Sequence, residues 1–281
     1  MDTYEVVTSR IISELEQGSI PWMKPWHGTA GAISHTTGKP YSLLNQLLLE
    51  EPGEYLTFRQ SIEEGGHVKK GEKGKCVVFW KWLEETDKDT GEIKKIPYLR
   101  YYTVFHTDQC EGIKPRFIAS QPFHSDLQPV DEAERIIDGY VARSGVTFTK
   151  MECNQVFYRP ALDEVVVPLI SQYEDVGEYY GTTFHELTHS TGHPSRLNRI
   201  DSISHFGSEE YSKEELIAEL GSSYLVNRCG LETPSTFRNA AGYIQGWLKV
   251  LKSDKRFIVM AAGKAEKAVK LILGEEGEAD E

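Results

Sequence analysis

Residues 182–197 read TTFHELTHSTGHPSRL, and the H-E-x-x-H inside them, running from His185 to His189, decides what the second half of the chain must be. Residues four apart project from one face of an α-helix, so His185 and His189 on a helical segment can grip a single metal ion together. Glu186 then stands beside the open coordination position, where a carboxylate can take a proton from water. This is the pattern of a zinc-dependent metallopeptidase, with Glu186 as candidate general base. Without a metal, burying two imidazoles and a carboxylate on one helical turn would cost free energy with no compensation. Gly192 offers a helix stop directly after the second histidine.

A third ligand is needed downstream. Residues 212–223 read SKEELIAELGSS, which places Glu215 on a helical stretch of its own, 26 residues after His189. The arrangement resembles the gluzincin pattern E-x-x-A-[DE]-x-x-G. That resemblance implies Glu215 as the third metal ligand and Glu219 as the acid that orients a metal-bound histidine from behind. Two alternatives stay open. Ser212-x-x-Glu215 also fits a capping box, and Glu214 is a neighbouring candidate ligand. Adjacent helical residues point about 100° apart, so Glu214 and Glu215 cannot both serve. His193 lies beyond Gly192 and reads as a loop residue, and the metzincin spacing would need a histidine where Ser195 stands. Tyr211, Tyr224 and His205 could steady an oxyanion, although core packing suits the tyrosines equally. The expected cofactor is one divalent ion, zinc ahead of manganese.

The net charge of −12 falls mostly on this second half. Residues 1–120 carry 15 Lys/Arg against 17 Asp/Glu, and the remainder 16 against 26. No composition of this kind announces a nucleic-acid binder, so any such surface must be a local patch in the less acidic first half. The four cysteines, Cys76, Cys110, Cys153 and Cys229, form no C-x-x-C pair. They read as small apolar residues in a reducing compartment. The N-terminus lacks a basic-then-apolar signal pattern and no stretch has bilayer-spanning length, which points to the cytoplasm and away from the membrane.

The pattern along the chain predicts α+β architecture in two domains, residues 1–115 and 131–274, with a Pro-rich linker at 116–130 and an acidic tail at 275–281. Residues 3–17 predict an amphipathic helix capped by Asp2, with Val7, Ile11 and Leu15 on one face. Short β-prone runs follow at 57–58, 75–83 and 98–106, the last two joined by a polar hairpin loop. A helix opens at Asp131, with Glu134 in the capping-box position, and stops at Gly145. Residues 155–170 predict a hairpin, and helices are expected near 175–191, 212–228 and 257–273.

In the first domain, Trp22, Trp26, Trp80 and Trp82 are interleaved with lysines, and GGHVKKGEKGKCVVFWKW pairs a Gly-rich basic loop with an aromatic strand. Mobile lysines suit phosphates and flat rings suit unpaired bases, so single-stranded nucleic acid is a candidate ligand. Trp22, Trp26, Lys69, Lys70, Lys73, Trp80 and Tyr102 are the candidate contacts. The alternative is that the tryptophans are core and the lysines a solvated turn.

Taken together, PWMKPWHG, TGKPYSLLN, LTFRQSIEEGGHVKKGEKG, VVFWKW and YTVFHTDQCEG in the first half, and FHELTHSTGHPSRLNR, YSKEELIAELGSSYL and WLKVLKSDKRFIVMAAGKAEKAV in the second, resemble the ArdC family of antirestriction proteins. The resemblance spans nearly the whole chain in order. It implies an N-terminal domain that binds single-stranded DNA and a C-terminal domain like a metallopeptidase. It further implies protection of an incoming mobile element from host restriction, with a host restriction or defence protein as a possible substrate. Whether protection is steric or proteolytic does not follow from it.

Overall fold

The computed structural model describes residues 3–17, 20–21, 31–49, 51–86, 93–117, 129–173, 175–200, 209–231 and 240–275. Trp22, Trp26, His205, the Asp2 cap, most of the linker and most of the acidic tail lie outside the described residues. The first domain opens with α1 (Thr3–Glu16), whose Val7, Ile11 and Leu15 are buried as their spacing predicts. Then come β1 (Ala32–Ser34), α2 (Leu43–Leu49), β2 (Gly53–Thr57), α3 (Phe58–Glu63), β3 (His67–Val68), β4 (Lys75–Thr86), β5 (Ile93–His106) and β6 (Cys110–Glu111). The main sheet has the order β1-β2-β5-β4, while β3 and β6 form a separate two-stranded ribbon. The run at 57–58 is a correction. Thr57 ends β2 and caps α3, its hydroxyl accepting from the Gln60 N–H while the Gln60 side chain returns to the Thr57 N–H, so Phe58 starts a helix.

Every residue of α2 is buried, the polar Asn45 and Gln46 along with its five leucines. Its two amides solve an edge problem. β1 and β4 are the outer strands of the main sheet, and their unpaired backbone groups need partners. Asn45 donates from Nδ2 to the Val78 carbonyl at 2.8 Å and accepts the Val78 N–H at 2.7 Å. Gln46 does the same for Ala32, at 2.8 and 2.7 Å. Asn45→Ala orphans both groups of a buried residue. It should therefore lower unfolding free energy by about 3 kcal/mol in urea titration. A loss under about 1 kcal/mol would show that Val78 finds other partners.

The second domain contains α4 (Asp131–Ser144), β7 (Thr147–Met151), β8 (Phe157–Arg159), β9 (Glu164–Pro168), α5 (Val176–Ser190), α6 (Glu209–Arg228), α7 (Ala240–Ser253) and α8 (Phe257–Leu273). Gly145 ends α4 with φ 70, a left-handed cap that glycine adopts without Cβ strain. The capping box at Asp131 is absent. Val130 holds the cap position with no side-chain bond, and Glu134 instead accepts from the Tyr180 hydroxyl at 2.7 Å and pairs with Lys150 at 3.0 Å. The expected hairpin is β8–β9, and β7 joins it in parallel, giving the order β7-β9-β8. α7 adds a helix beyond those the periodicity predicts.

The two domains share a core. Val7, Ile11, Leu15, Leu48, Val78 and Leu99 from the first pack in one cluster with Leu216, Leu220, Trp247, Ile258 and Ala262 from the second. A second cluster, including Tyr140, Val165, Tyr179, Phe184, Leu187 and Leu225, lies within the second domain. α6 therefore sends Leu216 and Leu220 into the shared core, while other residues on it meet α5. Among the described residues no helix is long and apolar enough to cross a membrane.

Candidate functional site

α5 forms because Asp175 caps it, accepting the Glu178 N–H at 2.7 Å, and because Tyr179, Tyr180, Phe184 and Leu187 give it a fully buried stripe. His185, Glu186 and His189 are left half-buried beside that stripe. α6 packs against them at very close range. A Cβ placed on Gly221 would lie 2.8 Å from Thr188 Cγ2, and Ser222 Oγ donates to the Gly181 carbonyl at 2.6 Å. In the E-x-x-A-[DE]-x-x-G pattern the glycine belongs at position 222; here it stands one place earlier, where Thr188 requires it.

This approach brings His185, His189 and Glu215 together, with one ligating atom from each lying within 4.8 Å of the others. The two Nε2 atoms are 3.1 Å apart. Glu215 Oε2 lies 3.5 Å from Nε2 of His185, and its Oε1 lies 3.3 Å from Nε2 of His189. Ligand atoms bonded at about 2.0–2.1 Å around a tetrahedral zinc stand roughly 3.3–3.4 Å apart, so the spacing is that of a three-ligand cation site. The side chains are 13%, 12% and 7% exposed respectively.

The opposite ring nitrogens are also engaged. Nδ1 of His185 faces Glu219 Oε1 at 3.5 Å without a formed hydrogen bond. Nδ1 of His189 meets Glu214 Oε1 at 3.3 Å. Glu214 and Glu215 thus divide between the two nitrogens of His189, with Glu215 toward the centre and Glu214 behind. Ser212 lies inside α6, which starts at Glu209, so the capping box that rivals the ligand role of Glu215 does not form at the helix start.

The electrostatics follow from burial and pairing. Burial opposes the charged carboxylate of Glu215, yet the two imidazoles hold it well below the usual range. Burial pushes Glu219 up to about 8, assisted by repulsion from Glu215. Burial disfavours both imidazolium forms, but the surrounding carboxylates outweigh it and raise His185 and, further, His189. Imidazoles and carboxylates clustered in this way offer a divalent cation a negative, convergent seat. His193 is not among the converging residues; its Nδ1 is 2.7 Å from Ser195 Oγ in the turn after α5. Tyr224 packs against both hydrophobic clusters, and Tyr211 lies in the first turn of α6.

On the first domain, Lys69 donates to the Asp108 carbonyl at 2.7 Å, while Lys70 and Lys73 are exposed. Trp80 and Trp82 lie in β4, with side chains outside the described residues. Tyr102 is 45% exposed, and so is a residue the sequence reading did not select, Phe79, at 46%. Their rings meet edge-on at 5.7 Å, and Phe79 also contacts Tyr41 at 6.3 Å. Tyr41 in turn meets the buried Tyr55. An aromatic chain therefore runs from the core to the surface of the sheet. Across from Phe79 in the strand register stands the exposed Arg100.

Comparison with known proteins agrees with both halves of this description. Residues 1–105 match the family described as the N-terminal domain of anti-restriction factor ArdC, and residues 133–264 match a zincin-like metallopeptidase family. The chain is 36% identical over 296 residues to the DNA primase TraC of Escherichia coli, covering 96% of this chain but only 27% of TraC, about a quarter of its length. It is 33% identical over 284 residues to the uncharacterised protein y4eC of Sinorhizobium fredii, covering 94% of this chain and 89% of that one. The crystal structure of antirestriction protein ArdC from plasmid R388 in its metal-free form superposes with a TM-score of 0.80, at 36% identity over 97% of each chain. The Mn(II)-bound form gives a TM-score of 0.80 at 34% identity over 100% of each.

Proposed function

Because this chain belongs to the ArdC family of antirestriction proteins, we propose that it protects a mobile genetic element from host restriction with two working parts, a single-stranded DNA-binding domain and a gluzincin-type metallopeptidase. The observation that carries the peptidase reading is the convergence of His185, His189 and Glu215 at ligand spacing, with Glu186 next to them on α5. Two imidazoles and one carboxylate suit zinc. Manganese is the rival, since R388 ArdC has been crystallised with Mn(II).

A divalent ion bound there would polarise a peptide carbonyl and acidify a neighbouring water. Glu186, on α5 between the two histidines, would serve as the base that takes a proton from water and returns it to the departing amine. Glu219 faces the outer nitrogen of His185 and orients the ring. The substrate class is a protein, with a host restriction or defence protein as the expected target. The exposed Phe79–Tyr102 pair on the sheet and the exposed Lys70 and Lys73 on the loop before β4 support the DNA reading, as does a DNA primase that contains a similar region.

Metal analysis of the purified protein tests the central claim. One zinc per chain is expected, and Glu215→Ala should weaken binding by more than about 100-fold, beyond what loss of an outer-sphere partner causes. A wild-type protein that holds no divalent ion, or a variant that holds it as tightly, would end the peptidase reading.

A further inference from the structure

The turn after α5 contains two arginines that the peptidase reading leaves without a task. Arg196 donates to the Ser190 carbonyl at 2.8 Å and pairs with Asp163, which anchors the turn to the hairpin. Arg199 does something different. Its Nη2 donates to the Thr188 carbonyl at 2.8 Å and its Nη1 to Thr191 Oγ1 at 2.8 Å, so it clamps the last turn of the helix that carries His189. The same guanidinium grips Glu214 of α6 with two parallel bonds, Nε to Oε2 at 2.9 Å and Nη2 to Oε1 at 2.8 Å. Glu214 Oε1 then meets His189 Nδ1 at 3.3 Å. Arg199 is 5% exposed and Glu214 16%, so this pair is shielded from bulk water.

We propose that Arg199 and Glu214 are positioning residues for the metal centre: Arg199 locks Glu214 behind His189, and Glu214 keeps the His189 proton on Nδ1 so that the Nε2 lone pair faces the ion. The inference rests on the metal-site reading above and extends it to residues outside the ligand set. Bidentate capture by Arg199 has a second effect. Glu214 is adjacent to Glu215 and could otherwise compete for the coordination position; a fork–fork ion pair fixes its plane and direction. Glu214 and Glu219 thereby hold the two histidines from opposite sides, one acid per ring. The contact to Glu214, at 3.3 Å, is a formed hydrogen bond, whereas that to Glu219, at 3.5 Å, is not.

Chelator-competition titration of zinc into the full-length wild type, Glu214→Leu and the isosteric Glu214→Gln tests this directly, beside Glu215→Ala. Removing an outer partner of a ligating histidine typically weakens metal binding about 10–100-fold. Glu214→Leu should fall in that range, and Glu214→Gln, which keeps an acceptor, should recover part of the loss. Long-range ¹⁵N spectra of the metal-free protein, recorded at a pH where His189 is neutral, supply a readout that packing alone would not move. His189 should be protonated at Nδ1 in the wild type and in Glu214→Gln, and should change tautomer population in Glu214→Leu. If zinc affinity and the His189 tautomer are unchanged in Glu214→Leu while Glu215→Ala loses the metal, the positioning role is overturned and the metal site stands. Should Glu214→Leu fail to fold, Glu214→Gln with wild-type affinity and an altered tautomer would overturn it equally. Absence of zinc from the wild type would overturn the metal site itself.

Discussion

Glu186→Gln should keep its zinc and slow peptide hydrolysis by about 10² to 10⁴-fold, the range that a positioned general base contributes. The separation of the two effects is the informative part. Glu186 is on the same helix turn as both histidines but is not one of the three converging ligands, so the amide should leave metal affinity untouched. It still fills the same space and still hydrogen-bonds, but it cannot accept a proton from water. Glu215→Ala, by contrast, should lose metal and hydrolysis together. Digestion of a mixed peptide library by zinc-loaded protein, with zinc content measured on the same samples, reads both quantities. Equal hydrolysis by wild type and Glu186→Gln would trace the cleavage to a contaminant or to another base. If the zinc-loaded wild type cleaves nothing while Glu186→Gln still protects DNA in cells, protection is steric and the second domain serves as a metal-stabilised scaffold. An intact carboxylate beside an open coordination position argues against that outcome, because a purely structural zinc site is closed by four ligands.

The H-E-x-x-H centre was legible because helix periodicity alone places His185 and His189 on one face. The same rule could say that Glu214 and Glu215 diverge, but not which turns inward. That choice depends on how α6 is rotated against α5, and close contact at Gly221 and Ser222 sets it. Ser212 looked like a cap because Glu215 follows it at the right distance, yet the helix begins at Glu209 and absorbs it. Arg199 was illegible for a related reason: its role exists only once the turn from Gly192 to Ile200 folds back over the end of α5. Apolar stripes foretold that Val7, Ile11 and Leu15 would be buried but not against what. Their partners on α7 and α8 lie more than two hundred residues away, so a boundary read from proline content does not reveal a core that spans it.

Phe79→Ala and Tyr102→Ala should each weaken single-stranded DNA binding by about 5 to 150-fold, since a stacked base is worth about 1–3 kcal/mol. The argument turns on anchoring. An isolated surface ring loses side-chain freedom when a base stacks on it, whereas Phe79 is already held between Tyr41 and Tyr102, and Tyr41 reaches the core through Tyr55. A pre-ordered ring retains more of its stacking energy as affinity. The sheet supplies the charge as well, with Arg100 across from Phe79 and Lys70 and Lys73 on the preceding loop. The sequence reading named Tyr102 and Trp80 but not Phe79. Fluorescence anisotropy with a labelled oligonucleotide separates the contributions. Removing Lys70 and Lys73 should shallow the salt dependence, whereas Phe79→Ala should lower affinity at every salt concentration and leave the slope unchanged. A Phe79→Ala protein that binds single strands as tightly as the wild type would move the DNA site off this face of the sheet. A loss that is equal for duplex and single strands would mean that the rings shape the surface and do not stack on bases.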